Sequence, residues 1–450
     1  MTTLRVYAPC TLHRDRQIER KRHSVSELKE GHESDAVRRV PESTMILIHR
    51  LRKRGAMWVP LLFAIVIGTL AFDRLSLACA ASKSKVTWGA ELVVDDPPTY
   101  NGTSAMAKSA LDARKLQPGI YGDDYPRAVK LANGHRLLVF TTFIQGDPGY
   151  LTNPRGGTCL VIEQGSRNGR TWKQISTICD PGRDVDNGEF IQLADGDILL
   201  GTRSVRWQES YRLPVYRSTD MGQTWEYLST VDSNEGQPGE LGAPDKGVYE
   251  PHFFILDNKR LAVMYSTEKH VVDKPSYSQT VAERISDDNG KTWGKEIWVS
   301  AGGAEDRPGM PVWTKMKNGR YIVVHENCGS KKCDIFSQTS NDGIHWEIGE
   351  GTPVPEQRAA PYLLSLEDGR LILTSNNHNV SMSEDYGKSW SRVASAFEGG
   401  QDTAFFSSIY QVNSREIMII TGARRPQGGR RIVIRFGTLE SQVSRSDAPR

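Results

Sequence analysis

The sequence predicts an all-β fold built from six repeated antiparallel units, and two interleaved repeats carry this prediction. In the first repeat, an apolar stretch, a tight turn and a second apolar stretch follow one another. Its six turns lie near Gly134, Gly196, Lys259, Gly319, Gly369 and Arg415. Asn-Gly or Asp-Gly between two apolar runs is a strong signal for a β-hairpin. The second repeat is a polar turn that ends in tryptophan, with copies ending at Trp172, Trp225, Trp293, Trp346 and Trp390. The recurrence of both elements along the chain indicates a repeat architecture.

The N-terminal region reads as a targeting segment rather than as part of this fold. Residues 57–72 form an apolar run, which a basic cluster at 50–54 precedes and the small-residue pattern Ala78-Cys79-Ala80 follows. This order is typical of a signal peptide, and the run is shorter than the roughly 20 apolar residues of a membrane-spanning helix. We therefore expect a cleaved signal peptide within 45–80 and a secreted protein. The alternative is an uncleaved signal anchor, which gives a type II membrane protein with the large domain outside.

The rest of the chain falls into four segments. Residues 1–44 are polar and lack apolar periodicity, so we expect them to be disordered. A lead-in segment at 81–118, the repeats at 119–440 and a tail at 441–450 follow. Residues 81–450 hold 43 Lys and Arg against 46 Asp and Glu, which gives a net charge of −3. A nucleic-acid partner is therefore not expected.

The cysteines agree with export. Outside the targeting region there are four, and their proximity in sequence favours the pairs Cys159–Cys179 and Cys328–Cys333 in an oxidising compartment. The Cys-x4-Cys spacing of the second pair has no matching His pair, so we expect no metal site. Asn101-Gly-Thr and Asn379-Val-Ser are sequons for N-glycosylation.

The tryptophan-ending turns have a physical role that identifies them. Asp, Asn and Gly form compact turns whose side chains satisfy local backbone donors, while the tryptophan packs between strands. The copies resemble Asp-boxes, the Ser-x-Asp-x-Gly-x-Thr-Trp turns of sialidases and related BNR proteins. The first copy has Asn168 in place of the acidic residue, and the fourth is one residue shorter. Over about residues 120–440, the resemblance implies a six-bladed β-propeller of four-stranded blades.

In such a propeller the first strand of each blade lines a central funnel. The six strand starts carry Asp124 with Arg127, Asp186 with Glu189, Glu250 with His252, Arg307, Arg358 with Tyr362, and Asp402. Arg127 and Glu189 each precede their turn glycine by seven residues, so we expect them at equivalent places. Glu250 lies two residues earlier on its strand and therefore on the same face. A merely solvated channel is the alternative explanation for any one of these residues, whereas the whole ring resembles a carbohydrate pocket.

Glycoside hydrolysis needs two carboxyl groups that flank the scissile bond. Glu250 and Glu189 are our candidate catalytic pair, with Asp186 as the alternative to Glu189. The proposed substrate-binding residues are Asp124, Arg127, Asp186, His252, Arg307, Arg358 and Tyr362. This carboxylate chemistry requires no cofactor, and the expected partner of a monomeric enzyme is an oligosaccharide or polysaccharide.

Several segments are most similar to fungal exo-arabinanases. Tyr249-Glu250-Pro251 resembles that family's Trp-Glu-Pro segment, which bears a catalytic glutamate, and His325-Glu326 also matches a strand end. This resemblance implies a retaining, exo-acting enzyme on α-1,5-arabinan. The family's Asn-Pro-aromatic pattern meets Asn187-Gly188-Glu189 here, which is why Asp186 remains an alternative.

Two other functions are compatible with the sequence. A sialidase grips its acidic substrate with three arginines, and the residues that fit this scheme loosely are Arg127, Arg307, Arg358, Tyr362 and Asp147. A catalytically silent propeller that binds glycans or proteins is the other possibility, because propellers serve as binding scaffolds as readily as enzymes.

Overall fold

A computed structural model describes residues 85–97, 122–143, 158–397, 403–426 and 429–440. The expected signal segment, the N-terminal extension, the C-terminal tail, Asn101, Asp147 and Asp402 lie outside these ranges. Within them, no helix is long and apolar enough to cross a membrane. The helix described there is a single 3₁₀ turn, Lys269–Val272.

The described strands form six four-stranded antiparallel sheets, which we number as blades one to six. Blade one contains β2 (Asp124–Lys130), β3 (Arg136–Phe143), β4 (Thr158–Gly165) and β5 (Trp172–Ile178). Blade two contains β6 (Asp184–Gln192), β7 (Ile198–Arg206), β8 (Ser210–Ser218) and β9 (Glu226–Glu235). Blade three contains β10 (Val248–Ile255), β11 (Leu261–Thr267), β12 (Thr280–Ser286) and β13 (Ile297–Ala301). Blade four contains β14 (Asp306–Lys315), β15 (Tyr321–Gly329), β16 (Asp334–Ser340) and β17 (Thr352–Arg358). Blade five contains β18 (Tyr362–Ser365), β19 (Leu371–Thr374), β20 (Asn379–Ser383) and β21 (Ser391–Ser395). Blade six contains β22 (Ala404–Asn413), β23 (Glu416–Arg424), β24 (Arg430–Leu439) and β1 (Val86–Asp95).

The blades close into a ring. The first strands β2, β6, β10, β14, β18 and β22 each contact the next, and β22 contacts β2. The predicted six-bladed β-propeller is thus confirmed. Strand β1 comes from the segment that the sequence analysis left outside the repeats as a lead-in, and it pairs antiparallel with β24 as the outermost strand of blade six. The N-terminal and C-terminal parts of the propeller therefore share one sheet, which ties the ring shut.

The Asp-boxes connect the third and fourth strands of blades one to five and hold neighbouring blades together. In the box of blade two, the Asp220 carboxylate accepts hydrogen bonds from the backbone of Gln223 and Thr224 at 3.0 and 2.9 Å. The indole of Trp225 donates to Gly222 O at 3.0 Å and stacks on Phe190 with a centroid separation of 5.8 Å. The same indole donates to Ser176 Oγ of blade one at 3.1 Å. In the first box, the amide oxygen of Asn168 replaces the carboxylate and accepts from Arg170 N at 3.1 Å.

Both predicted disulfides are present. Cys159–Cys179 joins the first residues of β4 to the end of blade one, and Cys328–Cys333 closes the short loop between β15 and β16. Asn379 lies at the start of β20, partly buried, and its side-chain amide donates to Glu356 O at 3.0 Å. Its glycosylation stays a prediction.

Each innermost strand begins with the same local distortion, a residue in the left-handed region of backbone space. We call these six residues the bulge ring: Tyr125, Asn187, Glu250, Met310, Ala360 and Phe406, with φ between 48° and 61°. In five blades the pairing with the second strand slips at this point, as in a β-bulge. In blade five, Ala360 lies two residues before the first residue of the strand, Tyr362. A left-handed backbone is uncommon outside glycine. Its recurrence at the same place in six blades is therefore a regular feature of this propeller.

Two residues beyond the bulge ring lies a second ring of buried residues. Its members are Arg127, Glu189, His252, Val312, Tyr362 and Ser408, and each is at most 9% exposed. Arg127, Glu189 and His252 pair with Val139, Gly201 and Met264 of their second strands, so they occupy equivalent positions. Glu250 instead occupies the bulge, in the place equivalent to Asn187. Because the bulge adds one residue, the two-residue alternation of a regular strand does not show that Glu250 and Glu189 belong to different rings.

Candidate active site

Glu250 lies in the bulge ring with a partly exposed side chain. Its Oε2 atom accepts hydrogen bonds from Ser266 Oγ at 2.8 Å and from the backbone N–H of Met310 at 2.9 Å. Among the described residues, no hydrogen-bond donor reaches Oε1. Burial raises the pKa of Glu250 above its usual value, while the two hydrogen bonds and the charge of Arg203 favour the carboxylate. The result is an oriented carboxyl group with one oxygen free for a ligand.

Glu189 lies in the second ring, between Arg127 and His252. Its Oε2 is 3.7 Å from Arg127 Nε, and its Oε1 is 3.9 Å from His252 Nε2. Burial raises the pKa of Glu189 to about 8, against the opposing charge of Arg127. Burial also lowers the pKa of His252 to about 3, with a further contribution from Arg127. Both shifts favour the uncharged forms of Glu189 and His252.

Arg127 and Tyr362 complete this layer. The Arg127 guanidinium donates to Pro126 O and Phe406 O at 2.8 and 2.9 Å. It lies 5.0 Å from the ring centroid of Tyr362, whose ring is 6.1 Å from that of His252. The structure thus brings together four of the predicted site residues from blades one, two, three and five.

Asp186 lies one residue before its bulge and is more exposed than Glu189. Its carboxylate pairs with Arg203 at 2.9 Å, accepts from Asn187 N at 2.7 Å and accepts from the Thr141 hydroxyl. These donors satisfy both of its oxygens. Asp186 is therefore a fixed, ion-paired carboxylate at the exposed side of the funnel.

Asp124 occupies the equivalent place in blade one. Its Oδ1 accepts from the backbone N–H of Tyr125 at 3.0 Å, and its Oδ2 pairs with Arg430. The guanidinium of Arg430 also lies 3.8 Å from the ring centroid of Phe405. Asp124 thus anchors blade one to blade six.

The two remaining arginines lie away from the second ring. Arg307, at the start of β14, pairs with Glu268 and donates to Gln279 Oε1 at 2.8 Å. Arg358 ends β17, the outermost strand of blade four, and pairs with Asp334 at 3.1 Å. The prediction that Arg358 begins an innermost strand is therefore wrong, because it ends the fourth strand of its sheet. Arg127, Arg307 and Arg358 each pair with a different acidic residue, namely Glu189, Glu268 and Asp334.

Three further residues of the funnel were not among the predicted site residues. Arg203 pairs with Asp186, Glu268 accepts from the Tyr249 hydroxyl at 2.8 Å, and Glu326 accepts from Ala360 N at 2.7 Å. Arg203 and Glu326 lie on second strands, opposite the residue that precedes the bulge. Equal distance from the hairpin turn would place Ser204 and Asn327 there instead, because the bulge shifts the register by one residue.

One group of potential metal ligands occurs among the described residues, namely Glu326, Cys328 and Cys333. The two sulfurs are joined to each other in a disulfide. They are therefore not available as thiolate ligands, and this group does not form a metal site.

Comparison with known proteins finds sequence similarity over part of the chain. Residues 246–414 match the family model of the BNR repeat-like domain. A sialidase from Paraclostridium sordellii is 20% identical over 254 residues, which cover 48% of this chain and 61% of that protein. The chain thus spans less than two thirds of the length of this relative.

Solved structures match over a larger part of the chain. The α-L-arabinanase from Penicillium chrysogenum complexed with arabinobiose is 19% identical, with a TM-score of 0.60 over 79% of this chain and 99% of that one. The GH93 α-L-arabinofuranosidase of Fusarium graminearum with arabinobiose is 19% identical, with a TM-score of 0.60 over 78% and 97%. At this identity the likeness establishes the fold. Residues 246–414 thus resemble the BNR repeat-like domain, and the predicted likeness to Asp-box proteins, and in fold to the arabinanases, is confirmed.

Proposed function

We propose that this protein is a secreted glycoside hydrolase that removes units from the end of an arabinan-type polysaccharide. The observation that carries the proposal is the environment of Glu250, a carboxyl group fixed through Oε2 with Oε1 free, together with the buried Glu189 on the neighbouring blade, whose raised pKa favours its protonated form. Two carboxyl groups in different protonation states are what hydrolysis of a glycosidic bond needs. The arabinobiose complexes of similar propellers make arabinan the first substrate to test.

Glu250 acts as the nucleophile or as the base that activates water. Ser266 Oγ and Met310 N stabilise its negative charge and orient Oε1 towards the sugar. Glu189 supplies the proton to the leaving oxygen, because its pKa of about 8 keeps it protonated at neutral pH. Asp186 is the alternative proton donor. It is more exposed than Glu189, but its oxygens are already engaged by Arg203, Thr141 and Asn187.

A substrate panel tests this proposal. Debranched arabinan, sialyllactose and aryl glycosides are incubated with the wild-type protein and with Glu250→Gln, and the products are identified. Release of arabinobiose or arabinose that the substitution abolishes supports the proposal. Release of sialic acid would replace it with a sialidase function, and binding without turnover would point to a lectin-like role. Secretion is tested separately, by sequencing the N-terminus of protein from culture medium, where cleavage within 45–80 is expected.

A further inference from the structure

The backbone at the start of blade five differs from that of the other blades. In the other five blades, the residue before the bulge-ring member does not have a left-handed backbone. In blade five, Ala359 and Ala360 are both left-handed, with φ of 55° and 48°. Such conformations in residues other than glycine persist only where the surrounding structure fixes them. The contacts of these two alanines therefore show what holds the start of blade five in place.

Both alanine N–H groups donate to blade four, on the two sides of the loop that joins β15 to β16. Ala359 N donates to Cys333 O at 2.8 Å, and Ala360 N donates to Glu326 Oε2 at 2.7 Å. Glu326 lies on β15, and Cys333 immediately precedes β16. The two hydrogen bonds fix the two alanines together only while the two acceptors keep their positions relative to each other.

A disulfide sets the relative position of these two acceptors. Cys328–Cys333 joins β15, two residues beyond Glu326, to the residue whose carbonyl oxygen accepts from Ala359. The cysteines are 4% and 9% exposed, so the cross-link lies inside the protein. Lys332 and Cys333 are themselves left-handed, with φ of 57° and 63°. Because this backbone is uncommon outside glycine, a cross-link that ends at Cys333 limits the relaxation of the loop.

Tyr362 is the site residue that depends on this anchor. It lies two residues after Ala360, and its ring centroid is 5.0 Å from the guanidinium of Arg127 and 6.1 Å from the ring of His252. Pro361 separates it from Ala360 and has a fixed φ. A displacement of Ala360 is therefore passed on to Tyr362 rather than absorbed by the residue between them.

We propose that the Cys328–Cys333 disulfide is a positioning element, which sets Tyr362 in the second ring through its hold on Ala359 and Ala360. This role rests on the proposed function, because the position of Tyr362 affects turnover only if this residue contacts the substrate. The disulfide thus serves the geometry of the funnel more than the stability of the chain.

The second disulfide of the chain supplies a matched control. Cys159–Cys179 joins β4 to the residue after β5 within blade one, and its cysteines are 20 residues apart, against 5 for Cys328–Cys333. A cross-link that closes a longer loop restricts the unfolded chain more strongly. Removal of Cys159–Cys179 should therefore lower the thermal midpoint more than removal of Cys328–Cys333, whereas only the latter should disturb the start of blade five.

Amide hydrogen exchange tests the inference without using activity. The full chain is measured as wild type, as Cys328→Ser/Cys333→Ser and as Cys159→Ser/Cys179→Ser. In the first variant, the peptide that covers residues 358–364 should exchange about tenfold faster, as expected for the loss of one ordinary hydrogen bond. In the second variant, this peptide should exchange as in the wild type. An unchanged peptide in the first variant, or equal acceleration in both, would overturn the inference.

Activity on the most active glycoside of the substrate panel supplies the second readout. Cys328→Ser/Cys333→Ser should raise KM about tenfold and keep kcat within about twofold, because Tyr362 shifts while the donors to Glu250 stay in place. A merely structural disulfide would instead lower the active fraction, and with it the apparent kcat, at an unchanged KM. That result would overturn the positioning role. Failure of the proposed function gives a different result, namely faster exchange of residues 358–364 with no turnover of any glycoside.

A further variant tests the last step with both disulfides intact, even where a serine variant does not fold. Pro361→Gly frees the backbone between Ala360 and Tyr362, so it should also raise KM while kcat stays near the wild-type value. An unchanged KM in Pro361→Gly would overturn the transmission from Ala360 to Tyr362, and with it the proposed role of the disulfide.

Discussion

The Asp-boxes and the funnel both contain carboxyl side chains, but in opposite environments. In the box of blade three, the Asp288 carboxylate accepts from the Thr292 hydroxyl at 2.6 Å and from Thr292 N at 2.8 Å. These hydrogen bonds lower the pKa of Asp288 to about 2. In the funnel, burial without comparable donors raises the pKa of Glu189 to about 8. A carboxylate that accepts hydrogen bonds from its own turn is a structural element. A desolvated carboxyl group with few donors can still exchange a proton or bind a ligand.

Burial alone does not make this distinction. Glu283, on the third strand of blade three, is fully buried and accepts from the indole of Trp346 at 3.1 Å. Burial raises its pKa to about 8, as it does for Glu189. The difference is position, since Glu283 faces an Asp-box and Glu189 faces the funnel. A raised pKa therefore marks a candidate catalytic residue only where the side chain also meets a ligand space.

The largest expected effect concerns Glu250. Replacing Glu250 with Gln keeps an oxygen for Ser266 and Met310 but removes the charge, so turnover should fall by at least about 10³-fold. The measurement is kcat/KM on the most active glycoside of the panel, with the thermal midpoint recorded alongside. Asp288→Asn is the matched control, because it makes the same change in an Asp-box. It should lower the thermal midpoint and leave kcat/KM of the folded protein unchanged. Equal losses of activity in both variants would remove the distinction between the two regions.

The next effect concerns Glu189. Replacing Glu189 with Gln removes the proton donor, so kcat should fall by about 10²–10³-fold for a polysaccharide and much less for an aryl glycoside with an acidic leaving group. In the wild type, activity on the polysaccharide should decline as the pH rises through about 8, where Glu189 loses its proton. The test is the ratio of kcat for the two substrates across this pH range. If Asp186→Asn shows the leaving-group dependence and Glu189→Gln does not, Asp186 is the acid.

The sequence was sufficient for features that are local. Hairpin turns and Asp-boxes depend on residues within about ten positions of one another, so Gly196 or Trp225 could be assigned from its neighbours alone. The funnel position of Glu189 followed from its distance to the turn glycine, and the two disulfides were predicted from the proximity of the cysteines in sequence. These features fixed the number of blades and the strands that line the axis.

Non-local features were not predictable in the same way. Strand β1 joins blade six by pairing with β24, more than 300 residues away, and its sequence carries neither repeat. The bulges place left-handed backbone at residues such as Glu250 and Met310, which no turn residue signals. Because a bulge moves every preceding residue to another layer, spacing from the turn located Glu189 correctly but put Glu250 on the wrong layer. Glu326 acquires its neighbours only when blades four and five meet.

A smaller effect is expected at the tryptophan of an Asp-box. Trp225→Ala removes the stacking on Phe190 and the indole hydrogen bonds to Gly222 and Ser176, so the free energy of unfolding should fall by about 3 kcal/mol. Trp225→Phe keeps an aromatic ring and should lose about 1 kcal/mol, the value of an ordinary hydrogen bond. Both are measured by urea unfolding. Loss of activity in the folded protein without loss of stability would show that the Asp-box reaches the funnel.

The smallest expected effect separates the two kinds of buried carboxyl group by pH. The pKa of Glu283 is about 8 in the folded protein, above its ordinary value of 4.5, so the folded state binds the proton more tightly than the unfolded state. The stability from this group is complete below about pH 4.5 and is lost as the pH rises towards 8. Glu283→Gln should therefore flatten the decline of unfolding free energy over this window, by at most about 1.4 kcal/mol per pH unit. The pH profile of kcat/KM should not change, because Glu283 lies outside the funnel. A changed activity profile with an unchanged stability slope would contradict the assignment of Glu283 to the structural class, and would show that a raised pKa in this propeller carries functional meaning at any position.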